Sequence, residues 1–164
     1  VVVDSRPLYG RNWCAGSLGG HLTLQYRGRR CTCGNIGCVE AHSASFFLPQ
    51  IVGENEGLSE QFRTDSSNYT YKALFDKYRM GDKDAVAVLH ECMDVWAAAI
   101  VNYIHAYDPE TVVVGGGIMK SADIILPYLQ AKVNSLAWCP GGEVRIVASE
   151  LGDDAALLAV EHYF

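Results

Sequence analysis

The sequence predicts an α/β fold built around one hydrophobic core. Helical and strand patterns alternate through its second half, which is typical of sheets covered by helices. The chain has 164 residues, of which 49% are hydrophobic. A chain of this size buries enough apolar surface for one compact domain, and it is too short to hold two comfortably.

The first forty residues carry strand and turn signals. Residues 1–3 and 8–9 flank Asp4-Ser5-Arg6-Pro7, which predicts a β-hairpin. Residues 22–26 alternate apolar and polar side chains, as in a half-buried strand. The following segment, residues 28–38, holds three of the six cysteines and is called the cysteine loop below.

Helical patterns dominate the middle of the chain. A helix is predicted from Glu40 to about Phe47, with Pro49 inside it or at its end, and another over residues 71–78. Residues 53–68 lie between them and show little periodicity, so we expect a loop there.

The longest predicted helix covers residues 83–107. Asp82 is a good N-cap, and Asp84 adds a favourable charge to the first turn. Apolar side chains recur every three or four positions along this segment, as in a helix with one buried face. They are Val86, Leu89, Met93, Trp96, Ile100, Tyr103 and Ile104.

The last third continues the alternation. Residues 111–114 form a short β-branched run, typical of a strand covered on both faces, and a glycine triplet follows it. The remaining predicted elements are a helix capped by Ser121 and ending near residue 136, a strand at 144–148, and a helix at 155–163 capped by Asp153.

Charge and hydropathy argue against two classes of partner. The formal net charge is −6 without a run of like charges, whereas binding to nucleic acid needs a clustered basic face. The densest basic stretch, Arg27, Arg29 and Arg30, is expected to be a solvated turn. No apolar run reaches the length of about 18 residues that a membrane span needs, so we expect a cytoplasmic protein.

Three cysteines lie close together in the cysteine loop: Cys31, Cys33 and Cys38. Three thiols and one imidazole are a common ligand set for zinc, and His21 is the best-placed histidine. Four protein ligands leave no open coordination position, so a zinc ion here would be structural. The alternatives are a disulfide within the loop or simply buried thiols, although three thiols leave one unpaired.

One extended motif resembles the signature of the ROK family of sugar kinases and sugar-responsive repressors. It reads Gly20-His21, then Cys31-x-Cys33-Gly34-x-x-Gly37-Cys38-x-Glu40. Weaker matches occur in the family's order along the chain. They are Val1-Val2-Val3-Asp4 with Leu8-Tyr9-Gly10, Asp108-Pro109-Glu110 with Gly115-Gly116-Gly117, and Gly152-Asp153-Asp154-Ala155-Ala156. The resemblance therefore covers essentially the whole chain.

The resemblance implies an actin-like, ribonuclease-H-like fold in which two α/β lobes close over ATP and a hexose. It implies that this chain is the second, C-terminal lobe, with its zinc-binding region at residues 21–38. The family's other lobe carries an Asp-x-Gly-x-Thr phosphate loop, a catalytic Asp after an Asn, and a Gly-Thr-Gly turn, and none of these occurs in the sequence. Because Val1 begins within a strand-like run, we expect the chain to be part of a longer protein. We expect no catalytic residue in it and no kinase activity from it alone.

The resemblance also implies roles for two residues in sugar binding. His21 would bind zinc through one ring nitrogen and contact the sugar through the other, and Glu40 would accept hydrogen bonds from sugar hydroxyls. Without the resemblance, Glu40 is better explained as a first-turn residue favoured by the helix dipole. Leu18 stands where the family commonly has a sugar-binding Glu, and losing this charged acceptor predicts a changed sugar preference or a weaker affinity.

The glycine turn, Gly115, Gly116 and Gly117, resembles the family's adenosine-binding turn. A glycine triplet alone can also be an ordinary flexible connection between a strand and a helix.

The resemblance implies that the full-length protein binds ATP with Mg²⁺ and a hexose or amino-hexose, and that it forms a homodimer. Three functions stay open: the C-terminal lobe of a glucokinase-like hexose kinase, the sugar-sensing domain of a ROK repressor, and a non-catalytic zinc-stabilised interaction lobe. A helix-turn-helix would indicate the repressor, and none occurs in the sequence, whereas the glycine turn favours ATP use.

Overall fold

A computed structural model describes residues 1–152 of the protein. Its regular elements are β1 (Val2–Val3), β2 (Arg6–Pro7), α1 (Val39–Ser43), α2 (Leu48–Gly53), α3 (Glu60–Thr64), α4 (Tyr71–Arg79), α5 (Lys83–Tyr107), β3 (Thr111–Val114), α6 (Ala122–Leu136) and β4 (Arg145–Ala148). The predicted α/β class is confirmed. The predicted closing helix at 155–163 and its cap Asp153 lie outside the described residues.

The helix α5 is the centre of the hydrophobic core. It has the predicted bounds, and the Asp82 carboxylate caps it by accepting hydrogen bonds from the Asp84 and Ala85 amides, each at 3.0 Å. It contacts α1, α4 and α6, so three helices bury their apolar faces against one. The buried side chains of α5 itself are Ala85, Val88, Leu89, Cys92, Met93, Ala97, Ala99, Ile100 and Ile104.

The strands β3 and β4 form a parallel pair connected by α6. Thr111 lies opposite Arg145, and Val114 lies opposite Ala148. Helices cover one face of this pair, where Ile146 is buried. The prediction that β3 is covered on both faces is wrong within the described residues, because Val113 is 61% exposed.

The predicted N-terminal hairpin is confirmed with a shifted second strand. Val3 pairs with Arg6, so the return strand is β2 rather than residues 8–9. Asp4 and Ser5 have φ values of 50° and 61°, and such left-handed residues suit the right-handed twist of a two-residue hairpin.

Two predictions in the first half, a strand at residues 22–26 and a helix reaching Phe47, are wrong. Residues 22–26 form no strand, because the amides of Leu24 and Gln25 both donate to the Gly37 carbonyl. The helix that starts near Glu40 ends at Ser43, since Ala44 is extended with ψ of 149°.

The remaining differences concern helix ends and a missed helix. Pro49 lies in the first turn of α2, a position where its missing amide costs little. The predicted loop at 53–68 contains α3, capped by the Ser59 hydroxyl. Ser121 does not cap α6; its hydroxyl accepts a hydrogen bond from Arg79 instead. No described helix has the length and apolar character to cross a membrane.

Candidate metal centre and ligand cleft

The structure brings all four predicted metal ligands together. One ligand atom from each of His21, Cys31, Cys33 and Cys38 lies within 4.8 Å of every other, and these residues are called the four-ligand cluster below. The Cys33 and Cys38 sulfurs are 3.7 Å apart, and the Cys31 sulfur lies 3.7 Å from His21 Nδ1.

These distances fit a tetrahedral metal rather than a disulfide. Zinc binds thiolate sulfur at about 2.3 Å, so two sulfurs of a tetrahedral site are about 3.8 Å apart. A disulfide would need about 2.05 Å. All six cysteines are free, and Cys31 and Cys38 are buried. The donor set of three sulfurs and one imidazole is one that zinc prefers.

The thiols of the cluster differ in acidity. Burial alone would raise the pKa of Cys31, but hydrogen bonds from the Cys33 backbone and from the Cys33 and His21 side chains outweigh it and lower the pKa to about 7. Burial, with the neighbouring thiols of Cys33 and Cys31, raises the pKa of Cys38 to about 11, although a hydrogen bond from Asn35 opposes the shift. A divalent metal held by the cluster would add positive charge beside these sulfurs and favour their thiolate forms.

A tight backbone turn builds the cluster. The Cys31 amide donates to the Asn35 carbonyl at 2.9 Å, and the Gly34 amide donates to the Cys31 carbonyl at 3.0 Å. Gly37 has φ of +78°, and a Cβ there would overlap the carbonyl oxygen of Gln25. Only glycine therefore fits this position, which sets the direction of the chain into Cys38.

His21 reaches the cluster from a short 3₁₀ turn, Gly19–His21, which packs on α5. A Cβ on Gly19 would overlap the Tyr103 hydroxyl, so the turn sits directly on that side chain. The His21 amide donates to the Leu18 carbonyl at 3.0 Å. Leu18, the residue that directly precedes the turn, is 57% exposed.

Glu40 lies beside the cluster. It follows Cys38 by two residues in the first turn of α1, and its carboxylate oxygen Oε2 is 3.5 Å from His21 Nδ1. The resemblance implied one site for Glu40 and the four ligands, and the structure brings these five residues together.

Two further polar residues at this site were missed from the sequence. Asn35 donates to Thr23 Oγ1 at 2.9 Å and to the Cys38 sulfur at 3.4 Å. Arg29 was expected in a solvated turn, as Arg27 and Arg30 are, but its side chain is only 15% exposed and contacts α1. Nothing in the local composition distinguishes Arg29 from the other two arginines, because its contacts come from residues distant in the chain.

The glycine turn opens on a large cleft of about 1140 Å³. Gly115 and Gly117 line it, and Gly116 has φ of +91°, a conformation that suits glycine. Val39 and Ser43 of α1 line the same cleft, so it extends from the helix that carries Glu40 to the end of β3. Its mostly apolar lining includes three basic side chains, those of Lys72, Arg79 and Lys120.

The fold is that of the actin-like ATPases. A ROK family glucokinase from Streptomyces griseus, solved with glucose and AMPPNP, superposes with a TM-score of 0.80 over 98% of this chain and 55% of that one, at 21% identity. The ROK family model matches residues 1–160, and the chain belongs to the ROK family.

Curated relatives include both enzymes and regulators. Glucokinase of Thermotoga maritima is 32% identical over 96% of this chain and 51% of its own length. The DNA-binding transcriptional dual regulator NagC of Escherichia coli is 27% identical over 84% of this chain and 34% of its own. The chain thus spans about half the length of the glucokinases it matches, and about a third of the regulator.

The geometry of the cysteine loop predicts different costs for two glycine substitutions. Both Gly34 and Gly37 have positive φ, but only at Gly37 does a Cβ meet another atom, the Gln25 carbonyl oxygen. We expect Gly34→Ala to lower the free energy of unfolding by about 1–2 kcal/mol and Gly37→Ala by about 3 kcal/mol or more, measured by urea denaturation. Equal losses in the two variants would contradict this account of the loop.

Proposed function

We propose that this chain is the zinc-stabilised, sugar- and ATP-binding C-terminal lobe of an ATP-dependent hexose kinase of the glucokinase type. The observation that carries the proposal is the four-ligand cluster with the Glu40 carboxylate 3.5 Å from His21 Nδ1. Family membership and the glucokinase relatives support a sugar ligand and ATP.

Zinc in the cluster would hold His21 in one orientation. Its Nδ1 is the ring nitrogen that faces the Cys31 sulfur. Among residues 1–152, His21 Nε2 has no hydrogen-bond partner, so it is free to meet a sugar hydroxyl. A metal on one ring nitrogen fixes the tautomer and the direction of the other, so a structural ion would also contribute to sugar binding.

Glu40 would accept hydrogen bonds from the sugar. A carboxylate binds hydroxyl donors more strongly than a neutral acceptor does, and α1 holds Glu40 next to His21. The exposed Leu18 offers no such acceptor. We therefore propose a hexose or amino-hexose ligand bound through fewer charged contacts than in family members that have a Glu at this position.

The cleft beside the glycine turn would take the nucleotide. Its apolar lining suits an aromatic base, and glycines permit close approach of the backbone. Lys72, Arg79 and Lys120 add positive charge on the walls, although Lys72 and Arg79 already pair with Asp76 and Asp123. ATP with Mg²⁺ supplies the phosphoryl group when bound, and the residues of this chain bind and orient rather than move the proton.

The second candidate is the sugar-sensing domain of a ROK repressor, supported by the similarity to NagC. A sensing domain needs the sugar site but not the nucleotide site, so the glycine turn on the cleft favours the kinase. A non-catalytic zinc-stabilised interaction lobe is the third candidate, and the loss of the family's Glu at Leu18 is what favours it. We also propose, from the resemblance alone, that the full-length protein forms a homodimer.

Metal analysis tests the cluster directly. We expect one zinc per chain in the wild type, and loss of most of that zinc in Cys38→Ser because one of four ligands is gone. Cys14→Ser is the matched control, since Cys14 is exposed and lies outside the cluster. A wild-type protein purified without chelators that holds no zinc would refute the metal centre.

Calorimetric titration of the full-length protein with hexoses tests the role of Glu40. Removing its charge in Glu40→Gln should raise the Kd for the sugar about 10- to 100-fold, since hydrogen bonds to charged groups contribute about 1.5–3 kcal/mol. Glu56→Gln, at an exposed position outside the site, should leave the Kd unchanged. The assignment fails if both variants bind the hexose equally well.

A phosphorylation assay tests the assignment to one lobe. The 164-residue chain with ATP, Mg²⁺ and a panel of hexoses should yield no sugar phosphate, because no residue in it is proposed to accept the hydroxyl proton. The full-length protein should phosphorylate at least one of these hexoses under the same conditions. Turnover by the 164-residue chain would overturn the lobe assignment, and hexose binding without turnover by the full-length protein would favour the repressor.

A further inference from the structure

Arg29 differs from its two neighbouring arginines. It precedes Cys31 by two residues in the cysteine loop, and its side chain is 15% exposed, whereas Arg27 and Arg30 are exposed. Burying most of a guanidinium group is unfavourable unless its donors are satisfied. We therefore expect the guanidinium of Arg29 to have specific hydrogen-bond partners in the folded chain.

The guanidinium of Arg29 joins three segments of the chain. Its Nη1 donates to the Ala41 carbonyl at 3.1 Å, while Nε and Nη2 donate to Glu54 Oε2 at 3.2 and 3.0 Å. Ala41 directly follows Glu40 in α1, and Glu54 directly follows α2. A helix of five residues such as α1 is too short to hold its own conformation, so it depends on contacts of this kind.

The backbone of Arg29 makes two more contacts. Its amide donates to His42 Nε2 at 3.1 Å, and its carbonyl accepts from the Gly37 amide at 2.8 Å. A Cβ on Gly28 would overlap His42 Nε2, so the chain lies directly against that ring. Burial and the charge of Arg29 lower the pKa of His42, which keeps its ring neutral and able to accept.

The energetic contribution of the ion pair itself is small. Glu54 is 56% exposed, and an ion pair with one exposed partner contributes little to stability. What the contacts fix is geometry: they hold the start of the cysteine loop on the helix that carries Glu40. Cys31 lies two residues after Arg29, and Glu40 directly precedes Ala41, whose carbonyl accepts from Arg29.

We infer that Arg29 is a positioning residue for the metal centre, holding the cysteine loop against α1 so that the Cys31 sulfur and the Glu40 carboxylate keep their spacing. The inference rests on the proposed function. It assigns no contact between Arg29 and the metal or the sugar; Arg29 acts through the loop and α1.

Zinc affinity of the full-length protein, measured by competition with a chromophoric chelator, tests the inference. Arg29→Met removes the side-chain contacts, and Arg30→Met removes an equal charge from an exposed position beside the same cysteine. We expect the zinc Kd to rise about 10- to 100-fold in Arg29→Met, the range found for residues that orient metal ligands, and less than about threefold in Arg30→Met. Equal zinc Kd values for the two variants would overturn the inference.

Two further variants separate geometry from charge and from misfolding. Arg29→Lys keeps the charge but cannot present the planar fork that reaches Ala41 and Glu54 together, so we expect its zinc affinity also to be weakened. Full recovery of zinc affinity in Arg29→Lys would show a purely electrostatic effect and overturn the inference. Glu54→Gln keeps the side-chain shape but weakens the Arg29 contact, and it serves as the test if Arg29→Met does not fold. We expect its zinc Kd to rise above that of Arg30→Met, and equal zinc Kd values for these two variants would overturn the inference.

The wild type distinguishes this inference from the proposed function. If it binds zinc and Arg29→Met binds zinc equally tightly, the positioning role fails and the metal centre stands. If it binds no zinc, both fail. A purely structural role for Arg29 would lower the melting temperature of the metal-free protein and leave the zinc Kd at 25 °C unchanged, and that result would also overturn the inference.

Discussion

The path of the first 38 residues of this protein depends on four side chains whose ligand atoms lie within 4.8 Å of one another. Residues 1–38 contain only two short strands and one 3₁₀ turn, too little regular structure to fix their own path. The four-ligand cluster links the His21 turn to the cysteine loop, and Gly37 gives the loop the direction that this requires. A bound zinc would replace the hydrophobic core that this region lacks, as structural metals do in small domains.

The helix α5 fixes the position of this region relative to the rest. It contacts α1, which carries Glu40, and its Tyr103 supports the turn that carries His21. On its other side α5 packs on α6, which leads into β4 beside β3. One helix therefore sets the distance between α1 and the glycine turn, and residues of both line the cleft of about 1140 Å³.

The relation to known proteins matches this arrangement. The chain covers about half the length of ROK glucokinases, and its fold superposes on about half of such an enzyme. The residues proposed to bind sugar and nucleotide lie in this chain, whereas the catalytic motifs that the resemblance implies for the other lobe do not occur in its sequence. The proposed binding sites would serve either a kinase lobe or a sensing domain, and the proposed kinase would need its catalytic groups from outside these residues.

Patterns local in the chain were readable from the sequence. The bounds of α5, the strand β3 and the three cysteines Cys31, Cys33 and Cys38 follow from periodicity, capping or close spacing, which depend on neighbours a few residues away. His21 lies at least ten residues from these cysteines, and it was assigned as the best-placed histidine for a common zinc ligand set. Tertiary structure alone decided the rest. Residues 22–26 form no strand, since the Leu24 and Gln25 amides donate to the Gly37 carbonyl. Arg29 is mostly buried because Ala41 and Glu54, which accept its hydrogen bonds, lie beside it in space. Such contacts join positions 12 to 25 residues apart, and no local pattern of side chains encodes them.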